Sequence, residues 1–172
     1  MRVFKVLFLS TVIVAMSASV ALAATTINPA AAPTGTHLQR GTIGCSVTND
    51  VVTCTSYELA GVGNANAQAT LTATYSATVQ CRNRGGQIVE VKSQTTTAPT
   101  TSGQLEPKNG RLVVPALSSG PVPTDEAFEA NATCPNGNWT RETLGSSITV
   151  SSFTYTLTFA GFSSPYITIT GP

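Results

Sequence analysis

Four cysteines, Cys45, Cys54, Cys81 and Cys134, carry the clearest chemistry in this chain. Thiols pair in an oxidising compartment, and an even number of them reads as a disulfide framework. A metal site would need closely spaced ligands such as C-x-x-C with histidines. No such run occurs, so neither a metal nor another cofactor is expected. Three pairings are open in principle, and the local pattern chooses among them. Asn49-Asp50 reads as a two-residue turn, which sets Thr48 opposite Val51, Val47 opposite Val52, Ser46 opposite Thr53 and Cys45 opposite Cys54. Pairs in such a hairpin alternate between hydrogen-bonded and non-hydrogen-bonded. The cysteines fall on the closer, non-hydrogen-bonded kind, within disulfide reach. Cys45–Cys54 then leaves Cys81–Cys134.

Other clusters invite chemistry less strongly. Asp125, Glu126 and Glu129, with Asn131 nearby, form the densest acidic group. Calcium takes about six to eight oxygens, but the D-x-D-x-D-G loop is absent, so a solvated loop is expected there. Trp139 between Asn136 and Asn138 holds the parts of a sugar platform, an indole to stack on a ring and amides around it. A lone tryptophan in a small domain is more often packed, here over the Cys81–Cys134 bond. Arg82 and Arg84 flank Asn83 at a turn where they could clamp an anion, although a solvated turn is the plainer reading. Asn131-Ala132-Thr133 and Asn138-Trp139-Thr140 are glycosylation sequons, silent in the bacterial host that the leader suggests. Threonines recur at 70/72/74, 95/96/97, 154/156/158 and 168/170. Flat Thr-x-Thr arrays order water in ice-binding proteins. Here the rows are irregularly spaced, sheets twist, and threonine suits a wet sheet face.

Catalytic signatures are missing. The only histidine, His37, lies in a proline-rich tail, so a Ser-His-Asp or Cys-His site has no placed base. G-x-S-x-G, H-E-x-x-H and Gly-rich phosphate loops are absent. A carboxylate-dependent hydrolase is the alternative that motifs alone do not address.

The elements that must position these residues are strands. From Ala69 to Cys81, Ala69, Leu71, Ala73, Tyr75, Ala77 and Val79 alternate with Thr70, Thr72, Thr74, Ser76, Thr78 and Gln80. A period of two marks a strand with one dry and one wet face. Gly85-Gly86 turns the chain into a strand at Gln87–Val91, and Ser93 to Gly103 reads as a Thr-rich loop or frayed edge. Asn109-Gly110 is the strongest short hairpin signal, and Pro107 and Pro115 push it to a sheet edge. Thr124–Glu129 reads as one helical turn. Phe128, Ala130, Ala132 and Cys134 alternate again, with Trp139 returning opposite Cys134. Phe153, Tyr155, Leu157 and Phe159 form the most apolar alternation, and Tyr166, Ile167 and Ile169 close the chain. The expected fold is all-β, an immunoglobulin-like β-sandwich with two disulfides, with a small β-barrel as the alternative.

Residues 1–23 read as a signal peptide: Arg2 and Lys5, an apolar core, then Ala21-Leu22-Ala23, with cleavage between Ala23 and Ala24. Residues 24–38 read as a flexible Ala/Thr/Pro-rich arm, and 39–172 as a single sandwich domain. Of nine basic residues two belong to the leader, against eight acids, so nothing steers the chain to nucleic acid or an anionic membrane. Charged residues make up only 10% of the chain, so its surface must be built from Thr, Ser, Asn and Gln. No membrane span is expected after cleavage. These features point to a secreted, non-catalytic extracellular or cell-envelope domain. It would bind a glycan, cell-wall or protein partner, or act as a structural component, with Asn136, Asn138 and Trp139, and the loop from Ser118 to Glu126, as candidate contact residues. A protease inhibitor presenting Ser119–Pro123 and an ice-binding protein are weaker readings.

Overall fold

The computed structural model describes residues 23–172. The expected leader therefore lies outside the described residues, except for Ala23, which is half-buried against the core rim. The chain opens with β1 (Ala24–Ile27), a 3-10 turn (Pro29–Ala31) and β2 (His37–Gly41). The hairpin β3 (Cys45–Thr48) and β4 (Val51–Cys54) follows, then β5 (Tyr57–Ala60). The long β6 (Ala67–Arg82) leads to β7 (Ile88–Thr96), β8 (Thr100–Thr101), β9 (Arg111–Val114) and β10 (Leu117–Ser118). Helix α1 (Asp125–Asn131) precedes β11 (Thr140–Thr143), a second 3-10 turn (Gly145–Ser147), β12 (Thr149–Phe159) and β13 (Ile167–Gly171).

β6 organises the molecule. Its odd-numbered side chains from Ala69 to Cys81 are fully buried, while the alternate threonines point outward. One of its edges pairs with β12 and then β11, and the other with β8 and β7, all antiparallel. β13 and β1 extend the β12 side to complete a seven-stranded sheet. Two three-stranded sheets, β10-β4-β3 and β2-β5-β9, make the opposite layer. Val52, Leu59, Leu112 and Val114 from that layer meet Leu71, Tyr75, Leu157 and Ile167 in one core. Each large side chain taken fully out of water there stabilises the fold by about 1.5–3 kcal/mol. The result is the expected all-β sandwich. The large sheet ends in open strands on both sides rather than closing on itself.

Both expected disulfides form. The β3–β4 register sets Cys45 opposite Cys54, with Cα atoms 4.0 Å apart. Asn49 and Asp50 take φ of 48° and 59°, the left-handed pair that a tight two-residue hairpin requires. Cys81 at the top of β6 joins Cys134, with Cα atoms 5.7 Å apart.

Three segments depart from expectation. The supposed arm is ordered: Ala24–Ile27 pairs residue for residue with β13, and Ala31 and Ala32 are buried. Pro29 and Pro33 fall between strands, so they do not prevent pairing. Asn28 fixes the turn by accepting a hydrogen bond from Ala30 N at 3.2 Å. The Phe128–Cys134 alternation is not a strand. Asp125-Glu126 suits the first turn of a helix, and Phe128, fully buried, anchors it. Ser93 Oγ donates to Phe128 O at 2.6 Å and Thr95 Oγ1 to Ala127 O at 3.3 Å, tying α1 to β7. Neither Cys134 nor Trp139 lies in a strand, and β11 begins at Thr140, so Trp139 does not return opposite Cys134 in a hairpin. Finally, β7 continues to Thr96, because the inward-facing Ser93 and Thr95 find partners on α1.

Candidate binding face

The outer face of the seven-stranded sheet carries a run of hydroxyl and amide side chains across several strands. Cross-strand partners share a face, so the pairing register shows which side chains stand together. Along β6 and β12 the outward pairs are Gln68·Thr158, Thr70·Thr156, Thr72·Thr154, Thr74·Ser152 and Ser76·Thr149. Every member is a hydroxyl or an amide. One row continues across five strands as Thr26, Thr168, Thr156, Thr70 and Thr101. The next adds Thr170 beside Thr154 and Thr72. All these side chains are exposed or half-exposed. At sheet spacings the β6–β12 track runs about 27 Å, and the five-strand row about 19 Å. Where hydroxyls approach most closely they bond each other, Thr74 with Thr96 at 3.0 Å and Ser76 with Thr149 at 3.4 Å.

Along the track from Gln68 to Ser76 this surface has no formal charge. β1, β8, β12 and β13 contain no Asp, Glu, Lys or Arg. Charge returns at the upper end of β6, where Lys92 Nζ donates to Thr78 Oγ1 at 2.7 Å and Gln80 Nε2 to Glu90 Oε1 at 3.2 Å. At the lower end the track opens into a cleft of about 420 Å³, walled by Asn66, Gln68, Gln104 and Thr158 over Ala67, Phe159 and Ala160. The opposite layer is different in kind. There Arg111 Nη1 donates to Glu58 Oε1 at 3.0 Å, and Val113 is 66% exposed.

Behind the face, the core holds paired hydroxyls. Tyr57 and Tyr155 share a hydrogen bond at 2.9 Å, and Tyr75 OH meets Ser119 Oγ at 3.0 Å. Ser119 Oγ also accepts from Val52 N at 3.2 Å. Burial pushes the Tyr57 phenol far above its ordinary value, with neighbouring Tyr155 adding to the shift. Burial also raises Tyr155, against the hydrogen bond from Tyr57. These groups lock the two layers together.

The residues singled out in the sequence do not converge. Asn136 and Asn138 are exposed and Trp139 half-buried in the turn before β11. The amide oxygen of Asn136 is used within that turn, accepting from Asn138 N at 3.0 Å. Asn131 donates through Nδ2 to Gln94 O and Thr95 Oγ1, so its side chain clips α1 to β7. Glu129 accepts from Thr143 N at 3.0 Å, while Asp125 and Glu126 stand exposed. Glu126 is held below its ordinary value by its own backbone N–H and by Thr124. Among the described residues no group of three His, Cys, Asp or Glu is placed to hold a metal ion. The turn between Arg82 and Gly86 is fixed by Asn83, whose Oδ1 accepts from Gln87 N at 2.9 Å. His37 is exposed on β2, its Nδ1 beside Gly35 O at 2.8 Å. Among the described residues no helix is long and apolar enough to cross a membrane.

The hydroxyl track itself was visible in the sequence only as scattered Thr-x-Thr pairs. Its continuity depends on registers between strands about eighty residues apart, which spacing along the chain does not reveal. No protein-family model matches this chain, and neither a curated protein nor a solved structure is found similar to it.

Proposed function

We propose that this chain is an exported, non-catalytic β-domain of the extracellular space or cell envelope that acts by binding. One observation carries the reading. A sandwich stapled by two disulfides carries, from Gln68 to Ser76 and across the neighbouring strands of its large sheet, an outer surface of exposed or half-exposed, uncharged hydroxyls and amides. Disulfides fit an oxidising compartment, where such a domain must persist outside the cell. A polar, neutral surface suits contact with an equally neutral, hydroxylated partner such as a glycan or cell-wall polymer. The ionisable residues that do gather, Glu58, Glu106, Lys108 and Arg111, line a separate cleft, where Arg111 pairs with Glu58 at 3.0 Å.

The test is a binding screen of the oxidised chain from Ala24 to Pro172 against polysaccharides, cell-wall fractions and whole cells, with Trp139 fluorescence followed throughout. Saturable binding supports the proposal. A tryptophan shift would put the contact at Asn136–Trp139, and binding without a shift would put it elsewhere. Failure to bind all three classes refutes a role in binding glycans or cell walls and leaves a structural role or a protein partner.

A further inference from the structure

We infer that the β6–β12 track and the cleft at its lower end form one site for a single extended chain of neutral polysaccharide; this rests on the binding role proposed above and names its site and ligand class. Four outward pairs, from Gln68·Thr158 to Thr74·Ser152, present hydroxyls or amides at each step of about 6.8 Å along the strands, and Ser76·Thr149 follows across a bulge in β12. Hydroxyls donate and accept, and amides offer both functions at fixed positions, which matches the polyol edge of a sugar chain. The cleft continues the track without a break, because Gln68 and Thr158 belong to both. Its volume of about 420 Å³ lies in the range of small-ligand pockets, and Asn66 and Gln104 close its far wall. The cleft receives the end or a bend of the chain, and the track receives its length.

Charge decides against acidic polymers. A uronate or phosphate-bearing chain needs cations along its path, and the strands of this face have none below Lys92. Chemistry decides against a protein partner, since hot spots are built on Trp, Tyr and Arg anchors and the track has none. Geometry decides against a flat crystalline lattice. Neighbouring strands rotate by about 20–25° each, so a plane cannot follow five of them, whereas one flexible chain follows a single strand pair.

Affinity electrophoresis in gels containing laminarin, xyloglucan or dextran, with polygalacturonate as the charged comparison, tests this. The expected result is retardation by at least one neutral glycan, none by polygalacturonate, and no change in Trp139 fluorescence. Thr154→Lys, at an exposed mid-track position, is expected to weaken binding by roughly tenfold or more, the loss that follows when two ordinary hydrogen bonds go. Gln104→Ala, exposed and outside every strand, tests the cleft should the lysine variant fold poorly, and is expected to weaken binding several-fold. Val113→Lys on the opposite layer should bind as the parent does. Undiminished binding by both Thr154→Lys and Gln104→Ala overturns the inference, and so does polygalacturonate binding as tight as that of the neutral glycans. If cell-wall fractions bind while every neutral glycan fails, this site assignment falls and the binding role stands. If nothing binds, the site assignment and the role in binding glycans or cell walls both fall.

Discussion

Replacing Cys81 and Cys134 together with alanine removes a cross-link whose partners are 53 residues apart, while Cys45→Ala with Cys54→Ala removes one spanning only 9. Each bond has one fully buried and one half-buried sulfur, so the packing lost is similar in the two variants. What differs is the ring. Loop-closure entropy assigns about 4 kcal/mol to the long ring and about 3 to the short one, with their lengths differing enough to predict a gap of about 1–1.5 kcal/mol. The long bond also holds the segment after α1 against the top of β6. The short one repeats a constraint that the Asn49-Asp50 turn already imposes. Urea unfolding of the parent and both variants, followed by far-UV circular dichroism, measures the difference. The long-bond variant should lose more stability and show the larger rise in m, because its unfolded chain expands most. A short-bond variant that falls as far or farther, or an m-value unchanged in the long-bond variant, would refute the argument from ring size.

Three further outcomes are expected. Tyr57→Phe leaves the buried Tyr155 hydroxyl without its partner and should cost about 1–3 kcal/mol in urea unfolding, with Tyr57→Phe/Tyr155→Phe recovering part of the loss. Because both phenols are raised when folded, the unfolded chain ionises first. Their contribution to stability is therefore full below about pH 10 and falls above it, by at most about 1.4 kcal/mol per pH unit for each phenol. Unfolding curves between about pH 9 and 11 should show that decline, and Tyr57→Phe should flatten it. Gly61 has a φ of 74°, and a Cβ there would run into the Gly35 carbonyl, so Gly61→Ala should destabilise by more than the roughly 1–2 kcal/mol of the backbone conformation alone, read as a lowered Tm.

What was legible in the sequence was what local physics determines. The alternation in β6 is a period of two written into sixteen residues, and the β3–β4 register follows from a two-residue turn, so the short disulfide and by elimination the long one could be read directly. What was misread had a non-local cause. Ala24–Ile27 became a strand because β13 offers it an open edge, which no feature of that segment announces. Phe128, Ala130 and Ala132 alternate on paper, yet Ala, Glu and an acidic first turn favour a helix, and one buried phenylalanine is enough to anchor it. The candidate site suffered most. Tryptophan and asparagine at 136–139 attract attention by type, whereas the hydroxyl track is a property of register. Thr26, Thr70, Thr101, Thr156 and Thr168 become one row only after four strand pairings are known.

The pairing of the first described strand with the last has a consequence for attachment. Ala24 lies opposite Thr170, so the chain enters and leaves the large sheet at one corner. Anything joined before Ala24 or after Gly171 would depart from that corner, and a tether at either end would present the threonine rows at nearly the same tilt. The same closeness makes the molecule a natural subject for circular permutation. A short glycine linker across this corner, with new ends opened at Asn109-Gly110, would turn β1 and β13 into a continuous hairpin and leave the outer face as it stands.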